Sequence, residues 1–170
     1  MMRLFFIAAV IFQLCTGFAH AASFPQSRAE NLLGQKADFP GDLPGDPALI
    51  LVAFKRSQQS DIDAWMEALD LKGTAGIAWI EMPVVGGATK VMKPLLDGWM
   101  RDGIPDLDAQ ARVFTLYSSR KRFKKALGVP KTPGILAVVA KSNGQIVTLV
   151  EGGPTPKAVE AVLSALGASK

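Results

Sequence analysis

The chain has 170 residues, 19 basic against 15 acidic side chains and a formal net charge of +4, enough for one domain with a sizeable core and only mildly basic. Its one cysteine, Cys15, and its one histidine, His20, both lie near the N-terminus. If that segment is removed, disulfides, thiolate nucleophiles, thiolate or imidazole metal ligands and any side chain with an ordinary pKa near neutrality go with it.

Removal is what the first residues predict. Arg3 precedes the nine-residue apolar run Leu4 to Phe12, and Ala19 and Ala21 frame an Ala-x-Ala cleavage site, so residues 1–21 read as a signal peptide cut before Ala22. Nine residues fall far short of the ~20 that span a hydrocarbon core, and no later stretch approaches that length without a charge, Gly or Pro. A soluble periplasmic or secreted product of about +3 charge is expected. A lipid anchor on Cys15 is disfavoured by the bulky Leu14 before it.

Residues 22–47, rich in Pro, Gly and Asp, read as a lead-in loop, and residues 48–170 as the domain. Leu49 to Phe54 is a continuous apolar run of strand length, as expected of a central strand covered on both faces. Ser60 with Asp63 resembles a capping box, and Ile62, Trp65, Met66 and Leu69 form one helical stripe. Gly76 to Met82 alternates as a strand that stops at Pro83.

Gly86-Gly87 leads to a helix around Pro94 with Leu95, Leu96, Trp99 and Met100 as its apolar face, ended by Gly103-Ile104-Pro105. Arg112 to Tyr117 reads as a third strand. Ser118 or Ser119 caps a short helix closing at Gly128. Ile135 to Ala140 and Gln145 to Val150 form a hairpin through Asn143-Gly144, with positive φ expected at both turn residues. Thr155-Pro156 opens a last helix, with Val159, Val162, Leu163 and Leu166 inward and Gly167 past its end.

This α/β order, with strands alternating with helices and then a hairpin and a terminal helix, implies a mixed central sheet covered by helices on both faces. It resembles the thioredoxin superfamily at three places. Leu49 to Phe54 leads into Lys55-Arg56-Ser57-Gln58-Gln59-Ser60, where that superfamily carries Cys-x-x-Cys. Gly128-Val129-Pro130-Lys131-Thr132-Pro133-Gly134 is similar to its Thr-Pro segment, which implies a cis bond at Pro133. Asn143-Gly144-Gln145 and Gly152-Gly153-Pro154-Thr155 match its hairpin turn and its approach to the last helix. The inserted helix near Pro94 resembles those of peroxiredoxin-like members and of the mitochondrial ATP synthase assembly factors, and Phe54-Lys55-Arg56 with Trp65 looks closest to the latter.

The resemblance implies a three-layer thioredoxin-like fold without a thiol, expected to bind and not to catalyse. Lys55, Arg56, Ser57, Gln58 and Gln59, with Thr132 and Pro133, are the candidate partner-binding residues, because backbone N–H groups at a helix start favour anions. A solvated loop whose serine caps a helix explains the same residues equally. Arg120, Lys121, Arg122, Lys124 and Lys125 offer contact with an acidic partner or an anionic membrane surface, against the plainer reading of a solvated helix face with Phe123 and Leu127 inward. Trp65 and Trp79 read as core, whereas Trp99 with Met100 would make an apolar patch if exposed.

Asp102, Asp106 and Asp108 do not fit a calcium loop, and Gly86 to Lys90 lacks P-loop spacing, so neither a metal nor a cofactor is expected. Base-stacking aromatics are not interleaved with the basic residues, so no nucleic acid is expected. The predicted function is therefore an exported, non-catalytic thioredoxin-fold protein binding a protein or peptide client, with assembly of an envelope complex as its setting. The alternative is a hydrolase or peroxiredoxin-like enzyme using a non-cysteine group such as Ser57. A purely structural surface protein is a third reading. Client, pathway and oligomeric state are left open by the sequence.

Overall fold

In the computed structural model, which describes residues 23–73 and 76–168, the apolar run after Pro47 becomes β3 (Ala48–Ala53), buried at every position. Before it come β1 (Ser27–Asn31) and β2 (Lys36–Phe39); after it α1 (Gln59–Ala68), β4 (Trp79–Val85), α2 (Lys93–Gly103), α3 (Leu107–Arg112), β5 (Phe114–Tyr117), α4 (Arg120–Ala126), β6 (Leu136–Ala140), β7 (Ile146–Glu151) and α5 (Pro156–Leu166). The expected leader, its cleavage site, Cys15 and His20 lie outside the described residues.

One mixed sheet of seven strands runs β2-β1-β5-β4-β3-β6-β7. β3, β4 and β5 are parallel, while β6 and β7 add antiparallel on one side and β1 and β2 on the other. On one face Ile50, Val52, Ile80 and Met82 meet Phe123 and Leu127 of α4 and its approach to the next loop. On the other, Leu49, Leu51 and Trp79 meet Ile62 and Trp65 of α1 and Val159 and Val162 of α5. This is the expected three-layer α/β arrangement, because parallel crossovers put helices on both faces.

Several local expectations are corrected. The lead-in loop contains the β1–β2 hairpin, whose short, charged strands carry too little apolar signal to be read from sequence. Asn31 builds its turn: its side-chain oxygen accepts from the N–H groups of Leu33 and Gln35, and its amide donates to Gln35 Oε1 and the Ala111 carbonyl. β4 runs through Pro83 to Val85, because pairing with β3 ends at Ala53↔Pro83 and pairing with β5 takes over at Val84, so the missing N–H falls at the change of partner.

α1 begins at Gln59, not at a Ser60 cap, since Gln58 occupies the cap position with its side chain committed elsewhere. The third strand starts at Phe114, and Arg112 instead ends α3, a helix capped by Asp106, whose carboxylate accepts from the Asp108 N–H at 3.0 Å. In the β6–β7 turn only Gly144 has positive φ, at 90°, so one left-handed residue closes a longer loop instead of the expected pair. Among the described residues the cis bonds are Phe39–Pro40 and Asp46–Pro47, and Thr132–Pro133 is not one of them. The X-Pro trans preference is only about 1 kcal/mol, so surroundings and not the Thr-Pro dipeptide set the isomer.

Ser119 caps α4 by accepting from the Arg122 N–H, Thr155 caps α5, and Gly128 and Gly167 close those helices as expected. Phe123 and Leu127 point inward, leaving Arg120, Lys121, Arg122 and Lys125 exposed and Lys124 half-buried.

Candidate functional site

β3 delivers Phe54 to the carboxyl ends of the parallel strands, and a 3-10 turn over Arg56–Gln58 then feeds α1. Gln58 holds this loop shut. Its side-chain oxygen accepts from the N–H of Phe54 at 2.8 Å and of Lys55 at 3.0 Å, and its amide donates to the Pro133 carbonyl at 2.9 Å. The loop and the Thr-Pro segment, 75 positions apart, are thereby fixed edge to edge. Gly134 follows because a side chain there would press within 3.3 Å of the Gly152 backbone.

Lys124 of α4 enters from the side. Its ammonium donates to the Thr132 carbonyl at 2.7 Å and lies 4.2 Å from the centre of the Phe54 ring, a cation–π placement. Burial, then the neighbouring charges of Lys55 and Arg120, lower its pKa against the opposing pull of Glu151. Beside it a shallow hollow of about 340 Å³ is lined by residues 128–133 and Glu151.

Of the seven candidate binding residues, Lys55, Arg56, Ser57, Gln59 and Pro133 are exposed, whereas Gln58 and Thr132 are buried. Gln58 is buried as a structural tie, its side chain committed to the Phe54, Lys55 and Pro133 backbone. The Thr132 hydroxyl is buried with no hydrogen-bond partner among the described residues. The exposed part of the site is cationic and polar. Among the described residues no group of three or more His, Cys, Asp or Glu gathers that could hold a metal ion.

Two further sites carry no sequence motif. Glu81 of β4 is 7% exposed, and burial, reinforced by the carboxylate of Asp63 on α1, pushes its pKa up to about 7. The described residues thus include a group titrating near neutrality although they contain no histidine. It lies under α1, opposite Leu51 in register, and not on the loop surface.

The second is an ionic knot under α2. Lys93 donates to Glu30 of β1 at 2.8 Å and to Asp97 at 2.7 Å, and the Tyr117 hydroxyl donates to the other Asp97 oxygen at 2.8 Å. Burial opposes the Lys93 charge, but its two carboxylate partners outweigh burial and raise its pKa. Burial first, then donation to Asp97, pushes the Tyr117 hydroxyl up as well. The expected apolar face of α2 is therefore split: Asp97 is the buried residue of α2, Leu96 and Met100 are half-buried, and Leu95 and Trp99 are exposed. Periodicity marks an amphipathic helix but not which face meets the domain, and here hydrogen-bonded charges face inward.

No family model matches this chain, and no curated protein does. Solved structures do. A pneumococcal exposed lipoprotein thioredoxin from Streptococcus pneumoniae strain TIGR4 superposes with a TM-score of 0.55 at 14% identity, covering 84% of this chain and 98% of its own. Copper-bound yeast Sco1 gives 0.60 at 15% identity over 88% of this chain and 95% of its own. BsSco, a member of the Sco family of cytochrome c oxidase assembly proteins, gives 0.59 at 12% identity over 88% and 96%. At such identities the likeness establishes the thioredoxin fold and leaves activity to the site itself.

Proposed function

We propose that this chain is an exported, non-catalytic thioredoxin-fold protein that holds an extended peptide or protein client against the edge made by Lys55 to Gln59 and Pro133. The observation that supports this reading is the Gln58 tie, which keeps the former redox loop and the Thr132–Pro133 segment fixed together while their exposed residues offer charge and hydrogen bonds but no thiol. A rigid, preformed edge reduces the ordering cost of binding. Neighbours named as an exposed lipoprotein thioredoxin and as a cytochrome c oxidase assembly protein support an assembly role in the cell envelope.

Copper chemistry of the kind named for yeast Sco1 does not fit this loop. Copper takes thiolate, thioether and imidazole donors, and Lys55-Arg56-Ser57-Gln58 supplies an amine, a guanidinium, a hydroxyl and an amide. A hydrolase acting through Ser57 would need a base, and Glu81, the group poised near neutrality, lies buried under α1.

The test compares the intact protein with an Arg56→Ala, Pro133→Ala variant by cross-linking in the envelope, alongside insulin-reduction and peroxide-consumption assays. Loss of one defined cross-linked client from the variant, with blank assays for both proteins, is expected. An identical set of clients, or a turnover rate abolished by Ser57→Ala, overturns the proposal.

A further inference from the structure

Helix α2 turns charged residues toward the domain: Lys93, half-buried, and Asp97, buried, join Glu30 and Tyr117, and one turn further on the exposed Arg101 donates to the Leu32 carbonyl. The opposite face carries Leu95 at 46% and Trp99 at 55% exposure, continued by Met92 at 48% and Val91 at 91% on the 3-10 turn Gly87–Met92 that precedes it. Met92, Leu95 and Trp99 fall at i, i+3 and i+7, a single apolar stripe in water.

The chain leading into this stripe, at Gly86-Gly87, adjoins the start of the basic helix α4. The Arg120 guanidinium lies 3.9 Å from where a side chain on Gly86 would begin, and the Ser118 backbone is 4.0 Å from the same point on Gly87. Arg120, Lys121, Arg122 and Lys125 are all exposed on α4, which has no acidic residue. The acid Asp102 lies in the last turn of α2, whose 11 residues span about 16 Å, and Asp106 and Asp108 follow at the start of α3. The most exposed apolar residue, Val91, sits at the basic end.

We propose that α2 and α4 together dock this protein on an anionic lipid bilayer, the stripe of Met92, Leu95 and Trp99 lying in the headgroup boundary while Arg120, Lys121 and Arg122 meet lipid phosphates. Charge complementarity selects this occupant: a bilayer of anionic lipid presents apolar depth and negative charge together, and an indole ring favours that boundary. The surface is separate from the loop of residues 55–59, so this inference stands or falls independently of the client-binding proposal.

The molecule supplies its own probe. Trp65 and Trp79 are 0% and 3% exposed, so acrylamide quenching of tryptophan emission reports chiefly on Trp99. Vesicles of phosphatidylcholine containing 30 mol% phosphatidylglycerol are the ligand, with pure phosphatidylcholine as control. Expected are co-sedimentation at least about tenfold stronger with the anionic vesicles, a blue shift with loss of quenching, and a roughly tenfold fall in binding for Leu95→Asp and for the Arg120→Glu, Lys121→Glu pair. All three substituted side chains are exposed, so circular dichroism should show an intact fold, and every variant carries the same N-terminal segment. Unchanged binding of Leu95→Asp overturns the proposal. So does a Trp99 that stays quenchable on vesicles, or a stripe covered instead by a second copy or another protein, seen as an oligomer or complex that Leu95→Asp dissolves.

Discussion

The side-chain amide of Gln58 spans from the start of α1 to the carbonyl of Pro133 at 2.9 Å, while its oxygen receives the N–H groups of Phe54 and Lys55. One buried side chain therefore satisfies three backbone groups. Gln58→Ala leaves all three to find water or go unpaired, at about 1–3 kcal/mol for each group left buried. A drop in denaturant midpoint with faster hydrogen exchange at Phe54 and Lys55 is expected. Exchange unchanged at both amides would show that the loop is held by something else.

Tyr117 is the chain's only tyrosine, so its ionisation can be read directly in the ultraviolet. Its hydroxyl is half-buried and bonded to Asp97, which holds the phenol above its ordinary range. At pH 10, where a free phenol is about half ionised, the folded protein should show less tyrosinate than the unfolded chain. Asp97→Asn removes the charge that opposes ionisation and should lower the apparent pKa. Ordinary titration of the unmodified, folded protein near pH 10 contradicts the contact.

Removing that contact should also free α2. Tyr117→Phe deletes a single hydrogen bond and should cost about 1 kcal/mol, whereas Asp97→Ala leaves the phenol without its acceptor and Lys93 with Glu30 as its one carboxylate partner and should cost about 2 kcal/mol, the Lys93 side chain being partly solvated. Limited proteolysis between residues 86 and 104 is the sensitive readout. Cleavage should rise in the order native, Tyr117→Phe, Asp97→Ala.

These same residues mark where sequence reasoning reached its limit. The continuous apolar runs of β3 and β6 and the stripes of α1 and α5 were legible because burial on a sheet face or helix face leaves a period that counting reveals. The β1–β2 hairpin was not, since its buried positions are mostly Ala and Asn, and neither was the facing of α2, since Lys93 and Asp97 look like solvent-side residues until Glu30 and Tyr117 arrive from distant strands. The loop of residues 55–59 was placed correctly beside Thr132–Pro133 by resemblance, but the inward turn of Gln58 depends on a backbone carbonyl 75 positions away, which no local pattern encodes.

Glu81 supplies a pH dependence near neutrality although the described residues contain no histidine. Its carboxyl is 7% exposed, and burial, then Asp63, raises its pKa from the ordinary 4.5 to about 7. A raised folded-state value means that the native chain holds a proton which the unfolded chain has already released between those two pH values, so this contribution is complete below about pH 4.5 and is lost as pH climbs through 7. Its full size is at most about 3 kcal/mol. Glu81→Gln keeps the shape and the neutral form at every pH. Relative to the native protein it should therefore gain little at pH 4.5 and progressively more up to pH 8, measured as the difference in urea unfolding free energy between the two proteins. A difference that stays flat across that range would mean that Glu81 ionises as an ordinary solvated carboxylate.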